Sequence, residues 1–309
     1  MKVGVIGLGN MGEQIATAIA RAGFETHVYD LRPEAVAKLV ESGAQAATSV
    51  SEVVQRVDVV DVVVLDEEQV AAVADEVAAA GSPRTLVIHS TVTPRFVREL
   101  AKRLVAAQVS VVDATVAGGV TRARTGDLTV MVGGDDAVVA GLSGIFDAIG
   151  REVFHVGPAG AGSAVKLAVN FMTIAGYALQ MEAMEFVRAY GLTEDALSAV
   201  LATSSADSRA VRTWGVQDRI RRTGAAGTTP AHLVMRKDVS SFATAGGQAG
   251  VVLPMATVAA ETLLAKVARR DEYLDGLGDV QPIPRCAKCT LELIPPFRDA
   301  GVHPECAGT

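Results

Sequence analysis

Three glycines near the N-terminus have a spacing that suits phosphate binding. They form the pattern Gly7-x-Gly9-x-x-Gly12 directly after a short apolar segment at residues 2–6, and a helical pattern follows them. The spacing alone is common, but its position between a strand and a helix is typical of dinucleotide-binding turns. In such turns Gly7 would allow the tight bend, Gly9 would let the backbone approach a pyrophosphate, and Gly12 would let helix and strand pack closely. Main-chain amides at the start of the helix would then face the phosphates.

An acidic residue at the end of the second predicted strand supports this interpretation. Asp30 follows the segment from Thr26 to Tyr29, about 20 positions after the glycines. A carboxylate at that place accepts hydrogen bonds from the adenosine ribose and repels a 2′-phosphate, which favours NAD over NADP. Arg32 could still pair with such a phosphate, so NADP stays open. A glycine-rich turn that binds nothing is the alternative.

The pattern of elements divides the chain of 309 residues. Apolar runs alternate with helical patterns as far as residue 157, which predicts a doubly wound α/β sheet. Only helical patterns follow from residue 163 to about 275. We therefore predict a Rossmann domain at 1–160, an all-helical domain for substrate binding and oligomerisation at 161–279 and a Cys/His tail at 280–309. The predicted strands lie at 2–6, 26–29, 59–65, 85–89, 109–113 and 128–132.

Composition excludes several classes of partner. The formal net charge is −7 and no basic face is evident, so nucleic acid is not expected as a ligand. The longest apolar stretch carries Lys166, Asn170, Gln180 and Glu182, which a membrane helix would tolerate poorly. Cysteine is absent before residue 286, which fits a reducing compartment such as the cytoplasm. We expect a cytoplasmic protein with a small-molecule substrate and no membrane partner.

The tail contains four residues with the spacing of a zinc site. They are Cys286-x2-Cys289 and, after thirteen residues, His303-x2-Cys306. Three thiolates and an imidazole suit tetrahedral zinc, and a site with four protein ligands would be structural because it leaves no position for a reacting water. Incidental cysteines in a disordered tail are one alternative. A redox pair is another, although the βαβ context of such pairs is missing here.

Four stretches of the chain resemble the β-hydroxyacid dehydrogenase family, which includes 3-hydroxyisobutyrate and tartronate semialdehyde dehydrogenases. The resemblance covers about residues 1–275, and the stretches occur in the family's order. They are the glycine turn at 7–12, a substrate-binding stretch at 113–119 with 126–134, the start of the catalytic helix at 160–170, and Lys237-Asp238. The resemblance implies a Rossmann domain, a long interdomain helix and a helical domain that forms a homodimer or higher oligomer. The active site would be the cleft between the domains.

The resemblance also implies roles for individual residues. Lys166 matches the family's catalytic lysine, and a lysine can exchange a proton with the substrate oxygen if its surroundings lower its pKa toward neutrality. Asn170 lies four residues later on the same helix face and would hold a substrate hydroxyl or orient the lysine. Lys237 resembles the second lysine, which reaches toward cofactor and substrate. For Lys166 the alternative is an ordinary surface lysine, and for Asn170 it is an amide hydrogen-bonded within the helix bundle. For Lys237 the alternative is a position on a solvated helix face. The cofactor-binding residues implied are Gly7, Leu8, Gly9, Asn10, Met11, Gly12, Asp30, Leu65, Thr91 and Lys237.

One departure from the family pattern affects the substrate site. Gly118 and Gly119 would offer main-chain amides to a substrate carboxylate, but the serine that usually precedes them is Ala117 here, and Thr115 stands where the family has proline. The carboxylate would then rely on those amides, or on Arg122 or Arg124. These substrate-binding residues, with Lys166 and Asn170, predict an NAD(P)-dependent dehydrogenase of small 3-hydroxy acids or their semialdehydes. An imine reductase of the same fold and a dinucleotide-sensing adaptor without turnover remain as alternatives.

Overall fold

The structure is a computed structural model that describes residues 1–80, 85–216, 218, 229–277, 287 and 301. The chain forms two compact units. The first, called the sheet unit, comprises Met1–Val169 and Thr244–Val251, and the second, called the helical unit, comprises Asn170–Ala243 and Val252–Thr309. The predicted domain boundary near residue 160 stays a prediction.

The sheet unit contains an eight-stranded sheet of the order β3-β2-β1-β4-β5-β6-β7-β8 in the described part of the chain. All neighbouring strands are parallel except β6 and β7, which are antiparallel. The predicted α/β class is therefore confirmed. The strands are β1 (Lys2–Ile6), β2 (Glu25–Tyr29), β3 (Gln45–Ala46), β4 (Val59–Val62), β5 (Thr85–Ile88), β6 (Ser110–Ala117), β7 (Leu128–Gly133) and β8 (Gly150–Gly157).

The strands of this sheet are rich in valine, and both faces of the sheet are buried. Successive residues enter different hydrophobic clusters, as Val59 and Val60 of β4 do, because side chains alternate along a strand. Helices cover the two faces, which is the arrangement that buried parallel sheets require. These helices are α1 (Gly12–Arg21), α2 (Pro33–Val40), α3 (Val50–Arg56), α4 (Glu67–Ala80), α5 (Pro94–Leu104), α6 (Gly119–Ala123), α7 (Asp136–Gly141) and α8 (Ser143–Ile149).

Two strands and four helices of this unit were missed by the sequence patterns. β8 lies at the edge of the sheet and leaves most of its side chains exposed, so it has no apolar run. β3 is only two residues long, and the missed helices α3, α6, α7 and α8 have seven residues or fewer. β6 is longer than predicted because it continues through Thr115 to Ala117, the residues that precede the glycine pair.

The helical unit packs around the long helix α9 (Ala161–Ala189), whose first nine residues belong to the sheet unit. The other described helices are α10 (Glu194–Leu201), α11 (Arg209–Arg212), α12 (Ala231–Gln248) and α13 (Pro254–Gly276). The apolar core of the unit combines Met181 and Met184 of α9 with Trp214 and Leu263. Among the described residues, no helix is both long and apolar enough to cross a membrane.

A buried ionic network fixes α9 against α13 inside the helical unit. Arg270 donates to Asp218 at 3.0 and 3.1 Å and also pairs with Glu194. The hydroxyl of Tyr177 donates to Asp218 at 2.7 Å, and the guanidinium carbon of Arg270 lies 4.7 Å from the ring centre of Trp214. A buried arginine is tolerated only when its charge is compensated and its donors are satisfied, and two carboxylates do both here.

The start of α9 is attached to β6 by buried polar groups. One carboxylate oxygen of Asp113 accepts a hydrogen bond from the Gly160 amide at 2.7 Å, and the other accepts one from the Ser163 amide at 2.6 Å. The hydroxyl of Thr115 donates to the Gly162 carbonyl at 3.0 Å. A Cβ atom on Gly162 would lie 2.7 Å from the carbonyl oxygen of Asp113, so only glycine allows this close approach. The position of the helix that carries Lys166 therefore depends on β6.

The carboxyl of Asp113 makes the stability of the sheet unit pH-dependent. Burial raises the pKa of Asp113 from 3.8 to about 6, although the amides of Gly160 and Ser163 act in the opposite direction. The folded protein therefore binds this proton more tightly than the unfolded chain. The resulting contribution to stability is complete below about pH 3.8 and is lost as the pH rises through about 6.

We expect Asp113→Asn to remove this pH dependence. Between pH 7 and pH 4 the wild type should gain up to about 3 kcal/mol in free energy of unfolding relative to the variant. Urea denaturation across this pH range measures the difference. Asp147→Asn, which changes an exposed carboxyl of the same unit, should follow the wild type. A difference between wild type and Asp113→Asn that stays constant with pH would contradict the assignment.

Candidate active site

The glycine turn has the shape that a bound pyrophosphate requires. Gly7 has a φ of +92°, and a Cβ atom there would lie 2.5 Å from the carbonyl oxygen of Val63. A Cβ atom on Gly12 would overlap the carbonyl oxygen of Gly7, whereas one on Gly9 would meet no described atom within 4 Å. The backbone is therefore closed against the sheet at Gly7 and Gly12 and open at Gly9, where a phosphate group would approach.

The start of α1 is suited to an anion. Met11 occupies the N-cap position, and no side chain in the described part of the chain caps the helix there. The first amides of a helix need acceptors from outside the helix, and phosphate oxygens are suitable ones. The predicted residues Leu8, Asn10 and Met11 all lie in this turn, next to the switch point of the sheet between β1 and β4. Ligands of doubly wound sheets bind at this point.

Asp30 lies at the carboxyl end of β2 and is tied to the glycine turn. One carboxylate oxygen accepts from the Leu8 amide at 2.6 Å, and the other accepts from the amide and Nε of Arg32 at 2.9 and 3.0 Å. Burial acts to raise the pKa of Asp30, but the hydrogen bonds from Arg32 and Leu8 outweigh it and lower the pKa below its ordinary value. Asp30 is therefore ionised, and Arg32 is held in an ion pair with it.

The loops that follow β4 and β5 are joined to each other. The Val64 amide donates to Ser90 Oγ at 2.9 Å, and the Thr93 amide and hydroxyl donate to one oxygen of Glu67 at 2.7 and 2.6 Å. Leu65 and Thr91 lie in these two loops, at the same edge of the sheet as the glycine turn because β1, β4 and β5 are parallel. The structure thus brings together the sequence-predicted cofactor residues of the sheet unit.

The predicted substrate stretch lies at the end of β6. Ala117 ends the strand, and Gly118 and Gly119 have φ angles of +137° and +69°, a conformation that favours glycine at both positions. Arg122 pairs with Asp127 at 3.0 Å inside the same loop, so its charge is already engaged. Arg124 is exposed. Arg124 is thus more available than Arg122 to bind a substrate carboxylate.

The structure brings Asn170 and the Lys237-Asp238 pair together in the helical unit. Asn170 Nδ2 donates to Asp238 Oδ2 at 2.7 Å, and Lys237 Nζ lies 3.2 Å from Asp238 Oδ1. Lys166 is half-buried and precedes Asn170 by one turn on α9, so the two residues share a helix face. The contact between Asn170 and Asp238 was not predicted. Its only sequence signal was the presence of both residues in stretches of family resemblance.

The predicted zinc ligands Cys286, Cys289, His303 and Cys306 all lie outside the described residues. Within the part of the chain that the structure describes, no group of three or more His, Cys, Asp or Glu side chains could hold a metal ion. The zinc site therefore stays a prediction from the sequence.

Two family models match consecutive parts of the chain. The model described as the NAD binding domain of 6-phosphogluconate dehydrogenase matches residues 2–157. The model described as the NAD-binding of NADP-dependent 3-hydroxyisobutyrate dehydrogenase matches residues 160–279. Together they cover the sheet, α9 and the helices that follow it.

Relatives match over most of their length. An uncharacterized oxidoreductase of Mycobacterium tuberculosis is 35% identical over 278 residues, which cover 85% of this chain and 92% of the relative. The L-threonate dehydrogenase of Cupriavidus necator is 36% identical over 71% of this chain and 73% of its own. The solved structure of the M. tuberculosis 3-hydroxyisobutyrate dehydrogenase with L-serine superposes with a TM-score of 0.75 at 26% identity, covering 86% of this chain and 94% of that one.

The glycine turn, the ionised carboxylate after β2 and the long helix with Lys166 and Asn170 agree with these matches. The open backbone at Gly9 leaves space for the pyrophosphate of the nicotinamide cofactor that the family uses. The chain belongs to the β-hydroxyacid dehydrogenase family and is an NAD(P)-dependent oxidoreductase.

Proposed function

We propose that the protein oxidises a small 3-hydroxy acid to its semialdehyde, or reduces the semialdehyde, with Lys166 as the general acid and base. The observation that carries the proposal is the placement of Lys166 one helical turn before Asn170, whose amide Asp238 holds. Relatives support the substrate class, because one is named for L-threonate and another was solved with L-serine. Each of these two compounds carries a carboxylate and a hydroxyl.

The chemistry divides between cofactor and protein. When bound, the nicotinamide cofactor accepts a hydride from the substrate carbon or returns it. During oxidation the hydroxyl proton moves to the neutral Lys166 amine as the carbonyl forms, and during reduction the Lys166 ammonium gives a proton to the carbonyl oxygen. Gly118 and Gly119 would bind the substrate carboxylate through their amides, and Asn170 would bind the reacting hydroxyl. The side chain of Lys237 would lie close to both the cofactor and the substrate.

Lys166→Met should lower kcat by about 10²- to 10⁴-fold, because a positioned acid or base contributes that much. The dissociation constant for NADH should stay within about twofold, because the predicted cofactor contacts remain. Initial rates with 3-hydroxyisobutyrate, L-serine and L-threonate, together with fluorescence titration of NADH, measure both quantities. Lys102→Met, which changes an exposed lysine of the sheet unit, is the matched control and should retain wild-type rates.

The same assay distinguishes the competing functions. A protein that binds NADH but turns over none of these acids would contradict the proposal and favour a sensing adaptor. Reduction of a five-membered cyclic imine without oxidation of any hydroxy acid would instead favour an imine reductase. Full activity of Lys166→Met on a hydroxy acid would show that another group exchanges the proton.

We also propose that NAD is preferred over NADP. The ionised carboxylate of Asp30 lies at the end of β2, where the adenosine ribose binds in this fold, and it holds the guanidinium of Arg32 in an ion pair. A 2′-phosphate would therefore meet a negative charge and a cation that is already paired.

Asp30→Asn should lower the ratio of kcat/KM for NAD to kcat/KM for NADP by at least about tenfold, because it removes the repulsion and frees Arg32. Steady-state kinetics with each cofactor measure the ratio, and Asp147→Asn should leave it unchanged. An equal loss with both cofactors would mean that Asp30 acts only by shaping the turn at Leu8, and it would contradict this account of specificity.

We propose a homodimer, formed through the helical unit, as the minimal assembly. Three large side chains on α9 and a fourth on the residue that follows the helix are exposed at intervals of seven, seven and four residues, a spacing that places the three helical ones on one face. They are Met172 (72% exposed), Leu179 (55%), Phe186 (63%) and Tyr190 (71%). Exposed large apolar side chains on one helix face support an interface there. Leu179→Glu should convert the dimer to a monomer in sedimentation velocity experiments, and a wild type that sediments as a monomer would contradict the proposal.

The tail residues Cys286, Cys289, His303 and Cys306 would bind one structural zinc ion. Elemental analysis of the purified full chain should give about one zinc per chain. Cys286→Ser combined with Cys289→Ser should abolish the metal while kcat stays within about twofold, since the site would hold no reacting water. A chain without zinc, or loss of turnover with the metal, would contradict this assignment.

A further inference from the structure

The contact between Asn170 and Asp238 determines which way the Asn170 amide faces. A carboxylate has only acceptor oxygens, so the group of Asn170 that lies 2.7 Å from Asp238 must be its NH₂ group. The amide oxygen of Asn170 therefore points away from Asp238 and offers an acceptor. Among the described residues, no hydrogen bond to this oxygen is found.

The surroundings of Asp238 keep this arrangement fixed. Asp238 is 6% exposed, and the ammonium of Lys237 compensates its charge at 3.2 Å. The neighbouring rings of Phe171 on α9 and Phe242 on α12 stack with their centres 4.7 Å apart. These contacts hold the two helices together at the position of the hydrogen bond, so the amide of Asn170 has little freedom to rotate.

We propose that Asp238 is a positioning residue that makes Asn170 a hydrogen-bond acceptor and thereby selects the hydroxyl form of the substrate. The inference rests on the proposed function. A hydroxyl group can donate to Asn170 Oδ1, whereas the carbonyl oxygen of a semialdehyde has no proton to donate. Asn170 then stabilises the bound alcohol but not the bound aldehyde. Because the hydroxyl has only one proton, it donates to Asn170 Oδ1 in the bound alcohol and must turn toward the neutral Lys166 amine, on the same helix face, before that proton is transferred.

This proposal predicts an asymmetry between the two directions of the reaction. In Asp238→Asn, the side-chain amide at position 238 can either accept or donate a hydrogen bond. Asn170 is then no longer forced to turn its oxygen toward the substrate hydroxyl. We expect KM for 3-hydroxyisobutyrate to rise about tenfold, the loss expected of one hydrogen bond. KM for methylmalonate semialdehyde should change less than about twofold, because that substrate makes no hydrogen bond to Asn170 in the proposed arrangement.

A rescue variant separates positioning from a structural role. In Asn170→Asp combined with Asp238→Asn, the amide donates from position 238 and a carboxylate oxygen at position 170 again offers an acceptor. This double variant should reverse at least half of the rise in KM for the hydroxy acid. Glu261→Gln removes an exposed carboxylate from the same unit and should match the wild type. Equal changes of KM for both substrates, or no recovery in the double variant, would overturn the proposal.

A second measurement does not depend on turnover. In the NMR spectrum of the full chain, the side-chain amide protons of Asn170, assigned by their loss in Asn170→Ser, should be protected from solvent exchange. Protection should decrease in Asp238→Asn, where the amide at position 238 can also turn its NH₂ group toward Asn170, and should be kept in Glu261→Gln. Absence of any hydroxy acid activity in the wild type would refute the proposed function, whereas unprotected amide protons in the wild type would refute the positioning role.

Discussion

The buried attachment of α9 to β6 is the interaction on which the candidate active site depends. The carboxylate of Asp113 accepts the amides of Gly160 and Ser163, and the hydroxyl of Thr115 bonds the Gly162 carbonyl. In an α-helix that same carbonyl receives the amide of the residue four positions later, which is Lys166. The strand that leads to Gly118 and Gly119 therefore also fixes the turn of helix from which Lys166 projects. Thr115, which replaces the family's proline, adds a hydrogen bond that proline cannot make.

Carboxylates with fixed hydrogen-bond donors recur at each functional position. Asp30 holds the Leu8 amide in the glycine turn, Asp113 holds the start of α9, and Asp238 holds the amide of Asn170. In each case an acceptor-only group determines the direction in which a neighbouring donor faces. The groups that would touch cofactor or substrate are thereby oriented before either ligand binds, which is the arrangement that efficient catalysis requires.

Local patterns predicted the fold where burial follows a simple period. The strand β4 could be predicted because a strand covered on both faces is continuously apolar, here with a run of valines. The glycine turn could be predicted because only glycine fits it. The edge strand β8 escaped prediction because its exposed side chains carry no such signal. Asp113 with Ser163 and Asn170 with Asp238 join residues 50 and 68 positions apart, and no spacing rule predicts which distant polar groups will meet. The family resemblance identified the stretches but not these bonds.

Chemical rescue tests the central claim most directly, namely that the Lys166 amine exchanges the proton of the substrate oxygen. Lys166→Ala should be inactive with 3-hydroxyisobutyrate and NAD, and primary amines small enough to enter the vacated space should restore turnover. The restored rate should rise with amine concentration and with amine basicity, as general-base catalysis requires. A variant that binds NADH normally yet shows no rescue with any amine, or a rescued rate that is independent of amine basicity, would contradict the account.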